Sequence, residues 1–359
     1  MSRRRWSVNL LWVLVGILGS GALLDALVFS GPTWSGPSTA HFDGERFFNA
    51  GGVEPVGPLA VLDWILDRDP GSWEEVTDAH DGAPPPHAVK LGAVRLTFIN
   101  HATFLVQLPG INVLTDPIWS ERCSPIGWVG PRRHRPPGIR FEDLPPIDVV
   151  LISHNHYDHL DLPTVRALAK AHDPLFVVGL GNAPLLRNAG ARRVVQLDWW
   201  DEHALGDDVT VHGVPAQHFS GRAFSDRMGT LWMGFVLTGP AGPLYFAGDT
   251  GDGPHFASIR ERFGPPRLAM LPIGAFRPRS VMEAMHLSPE EAVSVHQRMG
   301  AHRSVGMHFG TFRLADDGQE EPVAALHTAM KSAGVRPDAF WALGFGEGRD
   351  VGRAPAATR

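Results

Sequence analysis

The chain has 359 residues, 43% hydrophobic and 19% charged, which is enough to bury a full core and too apolar for wholesale disorder. Its 32 basic residues against 38 acidic ones give a net charge of −6, which argues against a nucleic-acid binder working through a basic surface. The single cysteine, Cys123, excludes an intrachain disulfide and leaves nitrogen and oxygen to hold any metal, with the compartment open.

Arg3, Arg4 and Arg5 precede an uncharged run from Trp6 to Leu24, the pattern of a signal anchor. The run just reaches the about 20 residues a spanning helix needs. Residues 1–30 are therefore expected to anchor the chain in a membrane, with the body outside the cytoplasm on the periplasmic side. A cleaved secretion signal, cut near Ser20-Gly21-Ala22, is the alternative. Residues 31–90, rich in Gly, Pro and Trp, read as an irregular extension that wraps the main domain and holds one helix, Pro58–Asp67.

From Val94 onward, β-rich runs recur: VRLTFI, TFLVQL, NVLTD, VVLIS, LFVVG, VVQLD, VTVHGV, LWMGFVLT, LYFAGD, LAMLPIG and SVGMHF. Helices are expected at Leu162–His172, at Ser288–Met299 and at Ala324–Ser332 before Gly334. In the second, Ser288 and Glu291 form a capping box around Pro289. Strands interrupted by helices predict an α/β layered domain over residues 91–350, followed by a tail, 351–359.

The chemistry concentrates in SHNHYDHLD, Ser153 to Asp161, between the apolar strand DVVLIS and the helix LPTVRALAKAH. His154 and His156 are two residues apart, so extended backbone projects both the same way. Asp158 and His159 follow on the same loop. Four donors on one loop suit a pair of metal ions better than one, and imidazole with carboxylate suits zinc, with iron and manganese also fitting. Two ions sharing a water would generate hydroxide at neutral pH. Further donors end later strands: His218 in VPAQHFSG, Asp249 in LYFAGDTG and His308 in SVGMHFGT. A carboxylate can join two ions, so Asp249 is the natural bridge.

HNHYDH followed by a later His, GDT and a final His resembles the metallo-β-lactamase superfamily, which implies a four-layer αβ/βα sandwich with a dinuclear site. LTDPIWSERCSPIGWVGPRR, LPPIDVVLISHNHYDHLD, QLDWWDE, FAGDTG, RFGPPRLAMLPIGAFRPR, HLSPEEAV and HFGTF are similar to the N-acylphosphatidylethanolamine-hydrolysing phospholipase D family, over about His101 to Phe345. The resemblance implies one zinc on His154, His156 and His218, and a second on Asp158, His159 and His308, with Asp249 bridging. It implies substrate contacts from Tyr157 and His286, and leaves Asp249, Asp158 and His286 as the candidate catalytic residues. The position before His286, where that family carries glutamine, holds Met285.

The expected activity is zinc-dependent hydrolysis of N-acyl phosphatidylethanolamine or a related phospholipid at a membrane, by attack of a bridging hydroxide on phosphorus. The oligomeric state is left open, and nucleic acid is not an expected partner. The alternatives are another hydrolase of the same fold (a lactonase of a phosphorylated sugar acid, or a nuclease) and a non-catalytic envelope protein. Around the site, Asp161 caps the following helix or orients a ligand histidine, and His101 and Gln217 are near-site candidates. The basic loop Pro131–Pro137 is solvated or binds lipid phosphate. Asp198–Trp200 is core or a lipid-facing wall.

Overall fold

The computed structural model describes residues 29–77 and 82–352. The run Trp6–Leu24, His80 and residues 353–359 lie outside the described residues, and no helix among those described is long and apolar enough to cross a membrane.

In chain order the elements are α1 (Pro58–Leu66), β1 (Arg95–Asn100), β2 (Thr103–Leu108), β3 (Ile111–Thr115), β4 (Val149–Ile152), α2 (Leu162–Ala171), β5 (Leu175–Gly179), α3 (Ala183–Asn188), β6 (Arg193–Leu197), β7 (Glu202–Ala204), β8 (Thr210–Val214), β9 (Gly234–Thr238), β10 (Leu244–Phe246), α4 (His255–Phe263), β11 (Leu268–Pro272), α5 (Arg279–Met282), α6 (Pro289–Met299), β12 (Ser304–Met307), α7 (Glu321–Ser332), β13 (Phe340–Trp341) and β14 (Gly348–Asp350). They build two seven-stranded sheets, ordered β14-β1-β2-β3-β4-β5-β6 and β13-β12-β11-β10-β9-β8-β7. Strands β3 to β6 run parallel, as do β10 to β13; α-helices supply the crossovers except from β3 to β4, where a long loop with one 3-10 turn, Phe141–Asp143, does so. The result is the expected four-layer sandwich.

Parallel strands covered on both faces should read as continuous apolar runs, and β4 does. Its Val149 and Leu151 join the core shared with the second sheet, while Val150 and Ile152 pack with Val165 and Leu168 of α2. All four are buried, each contributing roughly 1.5–3 kcal/mol by transfer from water. In α6 the Ser288–Glu291 capping box forms as its sequence predicts, and Gly300 ends the helix in the left-handed region at φ 63°. Helix α7 begins at Glu321, three residues before the expected start. The short elements α3, α4, α5, β7, β13 and β14 were not among the expected ones; most are too brief to show a periodic pattern.

Residues from the extension do pack on the body. Asn49 accepts from His218 N through Oδ1 and donates to His218 O through Nδ2, at 3.0 and 2.8 Å. Trp64 Nε1 and Arg68 Nε both donate to the Asp316 carboxylate. Helix α1 buries none of its own residues and leaves Leu59, Leu62, Ile65 and Leu66 exposed. Trp199 is core and donates to Trp232 O, and Asp198 pairs with His41 Nε2 at 2.7 Å.

Candidate metal centre

Open α/β sheets gather ligands beyond the carboxyl ends of their strands, and here six such ends converge. Asp116 follows β3, the His154–His159 loop follows β4, His218 follows β8, Asp249 follows β10, His286 lies beyond β11, and His308 follows β12. Close packing of these loops demands small residues: a Cβ at Gly248, which sits at φ 60°, would fall 2.6 Å from Ser153 Cβ, and one at Gly274 would fall 1.9 Å from His308 O. His101, Asp116 and His308 all adopt positive φ (47°, 33° and 65°), so non-glycine strain is concentrated at this edge.

The structure brings all seven expected donors together in two adjoining groups. In the first, His154 Nε2 lies 2.8 Å from His156 Nδ1, which lies 3.3 Å from His218 Nε2. In the second, Asp158 Oδ2 lies 3.2 Å from His159 Nε2 and 3.3 Å from His308 Nε2. Asp249 Oδ2 sits between the groups, 3.1 Å from His159 Nε2, 3.1 Å from His308 Nε2 and 3.8 Å from His218 Nε2. Ligands about 2.1 Å from a tetrahedral zinc stand about 3.4 Å apart, so these separations fit the donor set.

Hydrogen bonds on the outer nitrogens turn the inner ones into lone-pair donors. His218 Nδ1 donates to Met285 O at 3.0 Å, His159 Nδ1 to Asp116 Oδ2 at 2.7 Å, and His154 Nδ1 to Ser153 Oγ at 2.9 Å. Ser153 Oγ passes its own proton to Asp116 Oδ2 at 2.6 Å. Asp249 Oδ1 and His159 Nε2 are buried and make no hydrogen bond among the described residues. Converging lone pairs and an orphaned carboxylate oxygen are what a cation would satisfy. Position 285 acts here through its backbone carbonyl, which any residue supplies.

Burial pushes His154 and His218 well below the ordinary histidine range and His156 down to about 4. Burial would raise the Asp249 and Asp158 carboxyls. Instead His159 and His308 hold Asp249 well below the usual range, and His159 and His101 do the same for Asp158. Burial opposes a charged imidazole at His159 and His308, yet Asp249 and Asp158 raise His159 well above the ordinary value and bring His308 to about 9.

His286 is 13% exposed at its side chain, with Nδ1 4.0 Å from Asp249 Oδ2, and burial lowers it to about 4. Tyr157 lies under Arg222, whose guanidinium carbon is 3.8 Å from the ring centre. The Asp161 side chain bonds neither the helix backbone nor a ligand histidine; it accepts from Ser120 N, Ser120 Oγ and Thr164 Oγ1. Gln217 ties three loops, accepting at its carbonyl from Gly251 N and donating to Asp252 O and Ala284 O. The Pro131–Pro137 loop spends its cations on the fold: Arg133 donates to Ser120 O and Ile118 O, and Arg132 pairs with Glu121 and Glu75.

Two supports escaped the sequence reading. Asp116 follows a buried strand and precedes Pro117, and a carboxylate in that position is a usable signal. Asn49 sits in an irregular stretch that gives no cue of its reach to His218.

The two-sheet sandwich and the donor cluster at its edge define a metal-dependent hydrolase. The Beta-lactamase superfamily domain matches residues 111–309. An uncharacterised protein of Mycobacterium tuberculosis is 38% identical over 338 residues, 89% of this chain and 87% of that protein. The N-acyl-phosphatidylethanolamine-hydrolyzing phospholipase D 1 of Caenorhabditis elegans is 39% identical over 228 residues, 61% of this chain and 64% of that enzyme. The isothiocyanate hydrolase from Delia radicum gut bacteria shares the fold, with a TM-score of 0.59, 24% identity, and coverage of 71% of this chain and 98% of that one. The chain belongs to the metallo-β-lactamase superfamily of metal-dependent hydrolases.

Proposed function

We propose that the chain is a dinuclear, zinc-dependent phosphodiesterase of phospholipase D type, acting on N-acyl phosphatidylethanolamine or a related phospholipid. The observation that carries this reading is the likeness to the Caenorhabditis elegans phospholipase D together with seven donors gathered in two groups around Asp249. In this reading His154, His156 and His218 would hold one ion and Asp158, His159 and His308 the other, with Asp249 placed between them. Bound there, the ions would acidify a water and neutralise charge on the phosphoryl oxygens.

The residues divide the remaining work. Ser153, Asp116 and the Met285 carbonyl fix the imidazole tautomers, so no reorganisation is needed when substrate arrives. His286 is neutral near pH 7 and stands beside Asp249, the right state and place to accept a proton from an attacking water. Arg279 holds it there by donating to His286 O at 2.9 Å. The Trp6–Leu24 run would keep the body at the membrane that carries the substrate, outside the cytoplasm.

The test is a hydrolysis panel with purified, zinc-loaded full chain. Release of N-acylethanolamine and phosphatidic acid from the N-acyl phospholipid is expected. Intact lipid alongside cleavage of a lactone or a nucleotide diester would refute the assignment.

A further inference from the structure

A cavity of about 410 Å³ lies beside Tyr157, against the loop that carries the first four donors. Three arginines line it, Arg122, Arg166 and Arg222, together with two carboxylates, Glu121 and Asp161. None of the arginines forms an ion pair among the described residues. Arg122 Nη1 donates to Gly130 O, and Arg222 Nη1 donates to Asn155 O and Leu160 O at 3.1 and 3.0 Å. Carbonyls satisfy hydrogen bonds without cancelling charge, and Arg166 has an exposed side chain.

Of the nearby carboxylates only Glu121 has a cation partner; Asp161 and Asp226 keep their charge beside Arg222, so the positive excess rests on Arg122 and Arg166. Glu121 pairs with Arg132, Asp161 accepts from Ser120 and Thr164, and Asp226 accepts the backbone N–H groups of Arg222 and Ala223. The amino end of α2, through Leu162 and Pro163, also faces the cavity, with Asp161 at its N-cap. A volume of this size is ordinary for a small-molecule site.

We propose that this cavity is an anion subsite for a phosphoryl group, distinct from the donor cluster. Forked guanidiniums match phosphoryl oxygens in geometry and charge. Arg222 spans the donor loop from Asn155 to Leu160 and stacks on Tyr157, so an anion held there steadies the loop that carries His154 to His159. The phosphoryl group has two sources: a soluble phosphate ester, or a phospholipid headgroup. Trp128 (79% exposed) adjoins the lining residue Gly127, and Phe224 (78% exposed) is two residues from Arg222, so apolar side chains stand on both rim loops.

The test is equilibrium binding to metal-loaded full chain of inorganic phosphate, glycerol 3-phosphate, and phosphatidylcholine vesicles carrying phosphatidic acid. An R122Q/R166Q double variant should lose roughly tenfold or more in phosphoryl affinity with its metal content unchanged. Arg222→Lys, which keeps the charge and loses the fork, should show a smaller loss. Asp249→Asn, which disables the donor cluster, should retain this binding. Equal affinity for glycerol 3-phosphate and vesicles supports a soluble ester, and a vesicle preference of tenfold or more supports a headgroup. Binding lost in Asp249→Asn but unchanged in the double variant, or no binding of any probe, would overturn the proposal. None of these readouts requires lipid hydrolysis, so the outcome is independent of the phospholipase assignment.

Discussion

His154, His156 and His218 offer three imidazoles and no charge of their own, whereas Asp158, His159 and His308 form a charged group backed by Asp116 and His101. Burial keeps the first three uncharged, with His156 at about 4. In the second group Asp249 and Asp158 hold protons on His159 and His308, the latter at about 9. The difference teaches that one group is ready for a cation over a wide pH range, while the other must release protons to receive one. Asp249 couples them because its Oδ2 reaches both.

The largest effect should come from removing that coupling. Asp249→Asn should lower hydrolysis by at least about a thousandfold and reduce bound metal, with an unchanged circular-dichroism spectrum. A fully active variant would break the bridging role. Next comes the support behind the second group. Asp116→Ala frees His159 Nδ1 and should weaken metal binding there by roughly 10–100-fold while leaving the first group nearly intact. Metal titrations that show both groups equally weakened would remove the contrast between them.

pH sharpens the same comparison. As pH falls from 9 through 6, protons on His308 and His159 compete with metal, so the second group should release its ion first. The first group should hold its ion until His156 protonates near pH 4. Metal-to-protein ratio measured against pH should step from two towards one, and loss of both ions together would contradict the ordering.

The smallest expected effect lies away from the centre. Burial lowers His296 to about 4, and its Nδ1 meets Ser304 Oγ at 2.8 Å. Its folded value lies below the unfolded one, so the unfolded chain binds more protons between about pH 6.5 and 4, and stability falls as pH drops through that window. The loss is at most about 1.4 kcal/mol per pH unit from this group. His296→Gln should flatten the acid side of a melting-temperature profile, and an unchanged profile would assign the acid sensitivity elsewhere.

Much of the centre was legible because its donors crowd one nine-residue stretch and three strand ends, where apolar runs stop at a polar residue. The strands were legible for the same reason: β4 is buried on both faces and reads as an unbroken apolar run. The supports were less so. Asn49 reaches His218 across 169 residues, and Met285 contributes only a carbonyl that any side chain could carry. Asp161 and the Pro131–Pro137 arginines look functional in sequence, yet the fold consumes them in tying Ser120 to α2 and to its own loop. No local pattern distinguishes an arginine bound to a backbone carbonyl from one left facing a cavity.

The proposed reaction is cleavage of a phospholipid by water attack at phosphorus. The direct measurement is hydrolysis of N-acyl phosphatidylethanolamine by zinc-loaded full chain in ¹⁸O-water, with mass analysis of both products. The account predicts the label in the phosphate of phosphatidic acid and none in the N-acylethanolamine. Label in a released fatty acid or in the ethanolamide, or no products at all, would contradict it.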